Sequence, residues 1–178
     1  PDLGCDYFGT SLHKWLCAPF GSGLLYVKKE KIKNLYPLFA APDAESDDIR
    51  KFEHLGTRSF AIEQAIGQAV NFHQMIGSER KEKRLRYLRE YWMSRAADMP
   101  DVHFYTSRKP AFSCALANVA IEGKSASDIA NFLFRNYKIH TVAIKWEAVD
   151  GVRITPNVYT VTKDLDRLVK AFDELTSS

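Results

Sequence analysis

The sequence predicts an α/β chain in two parts: the end of a larger α/β domain over residues 1–58, and a small α+β domain with its connecting helix over residues 59–178. Three observations carry this. The first part holds two short apolar strands and a loop, with too little apolar surface to fold alone; a helical period sets in at Ser59; and from Val102 onward strand-like and helix-like segments alternate, as in a sheet with helices laid on it. At 178 residues the chain is long enough to bury a core, and 46% hydrophobic with 26% charged residues excludes disorder of the whole.

In chain order, Asp6-Tyr7-Phe8-Gly9-Thr10-Ser11 is short, aromatic and β-prone, and Gly23-Leu24-Leu25-Tyr26-Val27 is an apolar strand bounded by glycine and lysine. Between them lies a dense turn with Lys14, Pro19 and Gly21, and residues 37–50 read as a surface loop ending in the acidic stretch Asp43 to Asp48. Ile62, Ala65, Ile66, Ala69, Val70 and Phe72 or His73 then recur at helical spacing as one buried stripe. Gly77-Ser78-Glu79 breaks that helix and starts another, capped by Ser78, with Leu85, Leu88, Trp92 and Ala96 on one side and Pro100 closing it. Strands are predicted at Val102–Tyr105, Phe112–Ile121, Ile139–Ile144 and Val152–Ile154, and helices at Ser125–Tyr137 and Thr162–Leu175. Ser125 and Thr162 are the expected N-caps, with Asp128 and Asp164 adding negative charge near the helix starts.

Several function classes drop out. A net charge of +3 does not compel a nucleic-acid or anionic-membrane partner. The basic run Arg80 to Arg86 shares its helix with an apolar stripe and with Glu79, Glu82 and Glu90, which reads as a solvated face. The longest apolar runs, such as Ala115–Ala120, fall far short of the ~20 residues that span a bilayer. Cys5, Cys17 and Cys114 are odd in number and lack metal-site spacing, so buried structural thiols in a reducing, cytoplasmic compartment are expected, with no metal site. Gly21-Ser22-Gly23 lacks the Lys-Ser/Thr of a phosphate-binding P-loop. The chain opens Pro1-Asp2-Leu3, without Met or a leader, and is expected to start inside a longer protein.

The residues that carry chemistry cluster at Ser11-Leu12-His13-Lys14-Trp15. A lysine at a strand end, flanked by hydroxyl and imidazole, is placed to form an imine while its neighbours hold an anion. At its free pKa of ~10.4 only about one lysine in a few thousand is neutral at pH 7, so burial or a nearby cation must activate it. On spacing alone, a solvated His-Lys pair at a turn is the competing reading.

The run Ser11, His13-Lys14-Trp15-Leu16, Pro19, Gly21, Gly23 and Leu25-Tyr26-Val27 resembles the cofactor-lysine segment of the class V aminotransferase superfamily. These are pyridoxal-phosphate enzymes of fold type I, among them cysteine desulfurases and isopenicillin N epimerase-like proteins. Two further landmarks follow in the family's order: Glu53-His54-Leu55-Gly56-Thr57-Arg58 before a helix, then Gly151-Val152-Arg153-Ile154-Thr155-Pro156 with Tyr159 and Asp164 to Leu168. The resemblance covers essentially the whole chain. It implies that Lys14 holds the cofactor, pyridoxal 5'-phosphate, as a Schiff base and shuttles the α-proton, and that Ser11 and His13 contact its phosphate. Gly56 and Thr57 would reach across a homodimer interface to the partner's phosphate, giving shared active sites, and Arg153 would take the α-carboxylate of an amino-acid substrate. His54 and Arg58 are second-tier sites; Arg58 could pair with a phosphate or with Glu63.

Departures from the family pattern matter as well. A desulfurase needs a nucleophilic thiol on a loop ahead of the carboxylate-binding arginine, and residues 140–152 contain none, which favours the epimerase-like or aminotransferase branch. The carboxylate for the pyridine nitrogen, the ring stacked above it and the phosphate-cupping turn lie upstream of the lysine in the family, whereas thirteen residues precede Lys14 here and match none of these. Asp6 is too close to Lys14 in sequence to serve as the pyridine partner. The chain is therefore expected to be the C-terminal portion of a larger enzyme, inactive alone. Transamination, inversion at Cα and elimination stay open, as do a desulfurase-like lyase and a non-catalytic dimerisation module that keeps the fold. Lys145-Trp146-Glu147 lines the site mouth or forms a solvent-facing loop.

Overall fold

The computed structural model describes residues 3–177, and the chain divides into two compact units, Pro1–Ile76 and Gly77–Ser178. In the first, strand β1 (Tyr7–Ser11) pairs antiparallel with β2 (Gly23–Val27), from Tyr7 opposite Val27 to Ser11 opposite Gly23. Tyr7, Phe8, Leu24, Leu25 and Tyr26 leave both faces of this hairpin apolar and exposed. A 3-10 turn at Lys29–Asn34, not foreseen from sequence, tucks Ile32 inward. A second, at Ile49–Phe52, is capped by Asp48, whose carboxylate accepts from the Arg50 backbone N–H at 2.9 Å. Hydrogen bonds from the Arg50 side chain and then its backbone hold the Asp48 carboxyl down at about 2.

Helix α1 (Phe60–Ile76) packs Ala69 against Leu12 and Ala18, with Leu16 and Ile66 alongside. Those contacts place α1 with the first unit, whereas the sequence reading puts the boundary before it, between residues 58 and 59 where the helical period begins. Phe72, expected on the buried stripe, is exposed, because the small loop under α1 covers only the Ile66–Ala69 turn.

The second unit is a two-layer sandwich. Its elements are α2 (Ser78–Ala96), β3 (Val102–Phe104), β4 (Ala117–Ile121), α3 (Ala126–Tyr137), β5 (Val142–Trp146), β6 (Val149–Ile154) and α4 (Thr162–Thr176). The strands form one antiparallel sheet in the order β3-β4-β6-β5. Side chains alternate across a strand, so Ala117, Val119 and Ile121 of β4 and Val152 and Ile154 of β6 point to one face. There they join Leu88, Trp92 and Met93 of α2, Ile129 and Leu133 of α3, and Leu168 and Phe172 of α4 in a single core. Trp92 meets Phe104 edge-on with ring centroids 5.8 Å apart.

Corrections to the sequence reading are local. Ser125 caps α3 as expected, accepting from the Asp128 N–H, but α2 is preceded by Gly77 at φ 85° and α4 by Val161, so Ser78 and Thr162 are first helical residues rather than caps. Asp164 instead reaches back to accept from the Val161 N–H at 3.4 Å. The strand expected at 112–121 starts only at Ala117, because Pro110 supports a 3-10 turn through Phe112. The next two strands are shifted and joined as a tight hairpin with Glu147 at φ 48°.

The basic run of α2 is not a simple solvated face. Lys81 is buried, Arg84 donates to the Thr160 carbonyl at 2.9 Å and Arg86 to the Pro110 carbonyl at 2.7 Å. Arg89, one turn on and only 3% exposed, bonds the Ser113 hydroxyl. The guanidinium forks thus tie two irregular loops to the helix. Among the described residues no helix is long and apolar enough to cross a membrane.

Candidate functional site

The lysine turn is built by backbone hydrogen bonds that close residues 12–22 on themselves. The Leu12 N–H donates to the Ser22 carbonyl and the Ala18 N–H to the Leu12 carbonyl, both at 3.1 Å. Ser22 bonds the Pro19 carbonyl through its N–H at 3.3 Å and its hydroxyl at 2.6 Å. Buried Leu12 and Ala18 anchor the loop on α1. Lys14 sits between those anchors with its side chain exposed, its carbonyl accepting from the Cys17 N–H at 3.2 Å. That closure puts Cys17 in the left-handed region at φ 64°.

His13 is half-buried, its ring 5.5 Å from that of Phe20, and its Nδ1 is buried with no hydrogen-bond partner among the described residues. A buried nitrogen left unpaired costs ~1–3 kcal/mol, which a bound hydrogen-bonding group relieves. Ser11, the last residue of β1, is half-buried where the strand enters the same turn, two residues before His13 and three before Lys14. Asp6 pairs with Lys28 at 3.8 Å and Lys31 at 3.6 Å.

Gly56 and Thr57 lie on a separate exposed loop ahead of α1. Gly56 adopts φ 71°, and a Cβ there would meet nothing within 4 Å, so the backbone conformation rather than crowding asks for glycine. His54 is exposed. Of the two partners open to Arg58, the structure shows Glu63, with a second bond to the Glu53 carbonyl at 2.9 Å. The cysteines are free thiols; Cys5 and Cys114 are half-buried and Cys17 is exposed, correcting the expectation of buried thiols. Among the described residues no cluster of potential metal ligands occurs.

In the second unit Arg153 stands on β6 opposite Asn118 of β4 and Val142 of β5. Its neighbours Val152 and Ile154 enter the core, so Arg153 projects from the sheet's other face. Its Nε is buried without a partner among the described residues, and so is the Asn118 Oδ1 directly across. A Cβ on Gly151 would lie 2.5 Å from that oxygen and 2.6 Å from the Val119 carbonyl, so the Asn118 side chain occupies the space that glycine leaves. Sequence reasoning did not single out Asn118; the glycine inside a strand pattern is the signal of close approach that could have found it. On the helix side, Asp150 accepts from the Ala126 N–H at 2.7 Å, tying α3 to the hairpin, and lies 3.5 Å from the Lys145 ammonium. The Ala126 bond, then Lys145, holds its carboxyl below the usual range.

Comparison with known proteins bears on these residues together. At 26% identity over 191 residues the chain is similar to isopenicillin N epimerase of Streptomyces clavuligerus, covering 98% of this chain and 48% of that protein. It is 27% identical over 191 residues to a probable cysteine desulfurase of Halalkalibacterium halodurans, covering 97% and 46%. The chain thus spans about half the length of the curated relatives it matches. The apo structure of a cysteine desulfurase from Thermococcus onnurineus NA1 superposes with a TM-score of 0.83 at 21% identity, over 98% of this chain and 48% of that one, which shows the fold expected from the sequence, that of fold type I. Residues 1–168, from before the lysine turn through Arg153 and into α4, match the sequence pattern described as aminotransferase class-V, and the chain belongs to that family.

Proposed function

We propose that the protein is a pyridoxal-phosphate-dependent enzyme acting on the amino group or Cα of an amino acid, with Lys14 as the residue that holds the cofactor. The observation that carries this is an exposed lysine in a hydrogen-bond-closed turn, next to an imidazole whose buried Nδ1 has no partner among the described residues, in a chain of the class-V family. When bound, pyridoxal phosphate supplies an aldehyde that joins an amine covalently and a ring that accepts the electron density left at a deprotonated Cα.

The remaining roles belong to the chain's own side chains. Ser11 and His13 would hold the phosphate, and the His13 Nδ1, without a partner among the described residues, is free to bond to a bound group. Gly56 and Thr57 offer backbone amides and a hydroxyl to the partner subunit's phosphate, making the protein a homodimer with shared sites. Arg153 fixes the substrate's α-carboxylate through its planar fork. The Lys14 amine, once released by substrate, takes and returns the α-proton. Free Cys5, Cys17 and Cys114 suit a reducing, cytoplasm-like compartment.

Amino transfer or inversion at Cα is favoured over sulfur transfer because the hairpin ahead of Arg153 carries no thiol. Similarity to cysteine desulfurases keeps a desulfurase-like lyase as the second reading. The test is the visible absorbance of the purified full-length protein. It is expected to be yellow, and to lose that colour on borohydride treatment and in Lys14→Ala. A colourless full-length protein would overturn the proposal in favour of a non-catalytic module.

A further inference from the structure

We infer that the sheet face around Arg153 forms the wall for the substrate's side chain, and that Trp146 gives the enzyme a preference for amino acids with large apolar or aromatic side chains. The inference rests on the functional reading above and adds a substrate class to it.

Directly paired residues of an antiparallel ladder share a face. Arg153, Gly151 and Val149 of β6 face away from the core, so their partners on β5, Val142, Ile144 and Trp146, do so too. Among these six, Arg153 is the sole ionisable group. The hairpin's own charges, Lys145 and Asp150, have the opposite parity, lie 3.5 Å apart, and are satisfied on the helix side.

The three β5 side chains are accessible: Trp146 is 71% exposed, Val142 38%, and Ile144 half-buried. Gly151, directly opposite Ile144, lies buried beneath the Asn118 side chain, so an uncharged amide borders the row between Arg153 and Val149. At ~3.3 Å per residue, Ile144 lies ~7 Å and Trp146 ~13 Å along the strand from Val142, the residue facing Arg153. A substrate anchored by its carboxylate at the guanidinium therefore meets a branched aliphatic group first and an indole next. An apolar side chain gains by leaving water against this row, whereas a charged one would lose hydration with no counter-charge there to receive it.

Two carboxylates without an amine, propionate and 3-phenylpropionate, probe the wall without any reaction. Calorimetric titration of the full-length protein, apo and cofactor-loaded, is expected to show 3-phenylpropionate binding at least ~10-fold more tightly. Trp146→Ala is expected to erase that difference while leaving propionate unchanged, Trp146→Phe to retain most of it, and Arg153→Gln to weaken both ligands. Equal affinity for the two probes, a preference that survives Trp146→Ala, or no binding of either would overturn the inference. Because titration of the apo protein needs no cofactor, its failure is distinct from a failure of Lys14 to take the cofactor.

Discussion

At Lys14 the chain solves a placement problem by enclosing the residue on both sides. Leu12 and Ala18 are buried and hydrogen-bonded to each other's backbone, so the lysine between them is fixed at its Cα while its amine stays free to move. Arg153 is fixed differently, inside a ladder with neighbours on both sides, and its buried Nε has no partner among the described residues. Arg153→Gln is expected to lower kcat/KM by ~10–200-fold, the worth of a charge-assisted hydrogen bond of ~1.5–3 kcal/mol, mainly through KM. Arg153→Lys should recover little of it, because an ammonium cannot reproduce the bidentate fork. A substitution that left steady-state kinetics unchanged would remove Arg153 from the site. At this scale the turn that carries Ser11, His13 and Lys14 was legible, because Pro19, Gly21 and Gly23 punctuate the chain between two strands. Asn118 was not legible, since its place depends on a glycine one strand away.

Single elements bring the packing rules into play. Gly151→Ala would drive a methyl group against the Asn118 side chain and the Val119 carbonyl, at an expected ~1–3 kcal/mol of stability, readable as a lower denaturant midpoint with unchanged slope. Asn118→Ala combined with Gly151→Ala should recover part of that loss but not all, since the backbone clash persists. Asp150 gives this element a pH dependence. Its folded-state pKa is depressed, so its stabilisation is complete above the unfolded value of ~3.9 and is lost as pH falls through the lower folded value. The gap in Tm between the protein and Asp150→Asn is therefore expected to hold steady near neutrality and to close below pH ~4. A gap that widened on acidification would contradict this. Periodicity located every helix and the sheet's strands, but their ends moved wherever a loop made its own hydrogen bonds. The 3-10 turn at Pro110–Phe112 and the tight hairpin between β5 and β6 are the two clearest cases. The arginines of α2 are invisible to charge counting for the same reason: their acceptors are loop carbonyls 24 and 76 residues away.

Over the whole molecule, the two units differ in how far their own residues account for them. The second has a continuous core centred on Trp92 and Phe172, and Trp92→Ala is expected to cost ~3–5 kcal/mol, measured by chemical denaturation. The first buries Leu12, Ala18 and Ala69 under α1 and, apart from that cluster, Val27 and Ile32, and it leaves its hairpin apolar on both faces, as strands covered on both sides in an α/β sheet would be. That asymmetry was legible in the sequence as two short strands and a turn-rich loop in the first part against a dense helical and strand periodicity in the second. The proposed side-chain preference was not legible, because it rests on which side chains a ladder's register brings into one row. The central claim concerns one amine, and peptide mapping by mass spectrometry of the borohydride-reduced full-length protein tests it most directly. The cofactor's mass is expected on the peptide containing Lys14 and on no other; an adduct on a different lysine, or none on a protein that binds the cofactor, would overturn the assignment of Lys14.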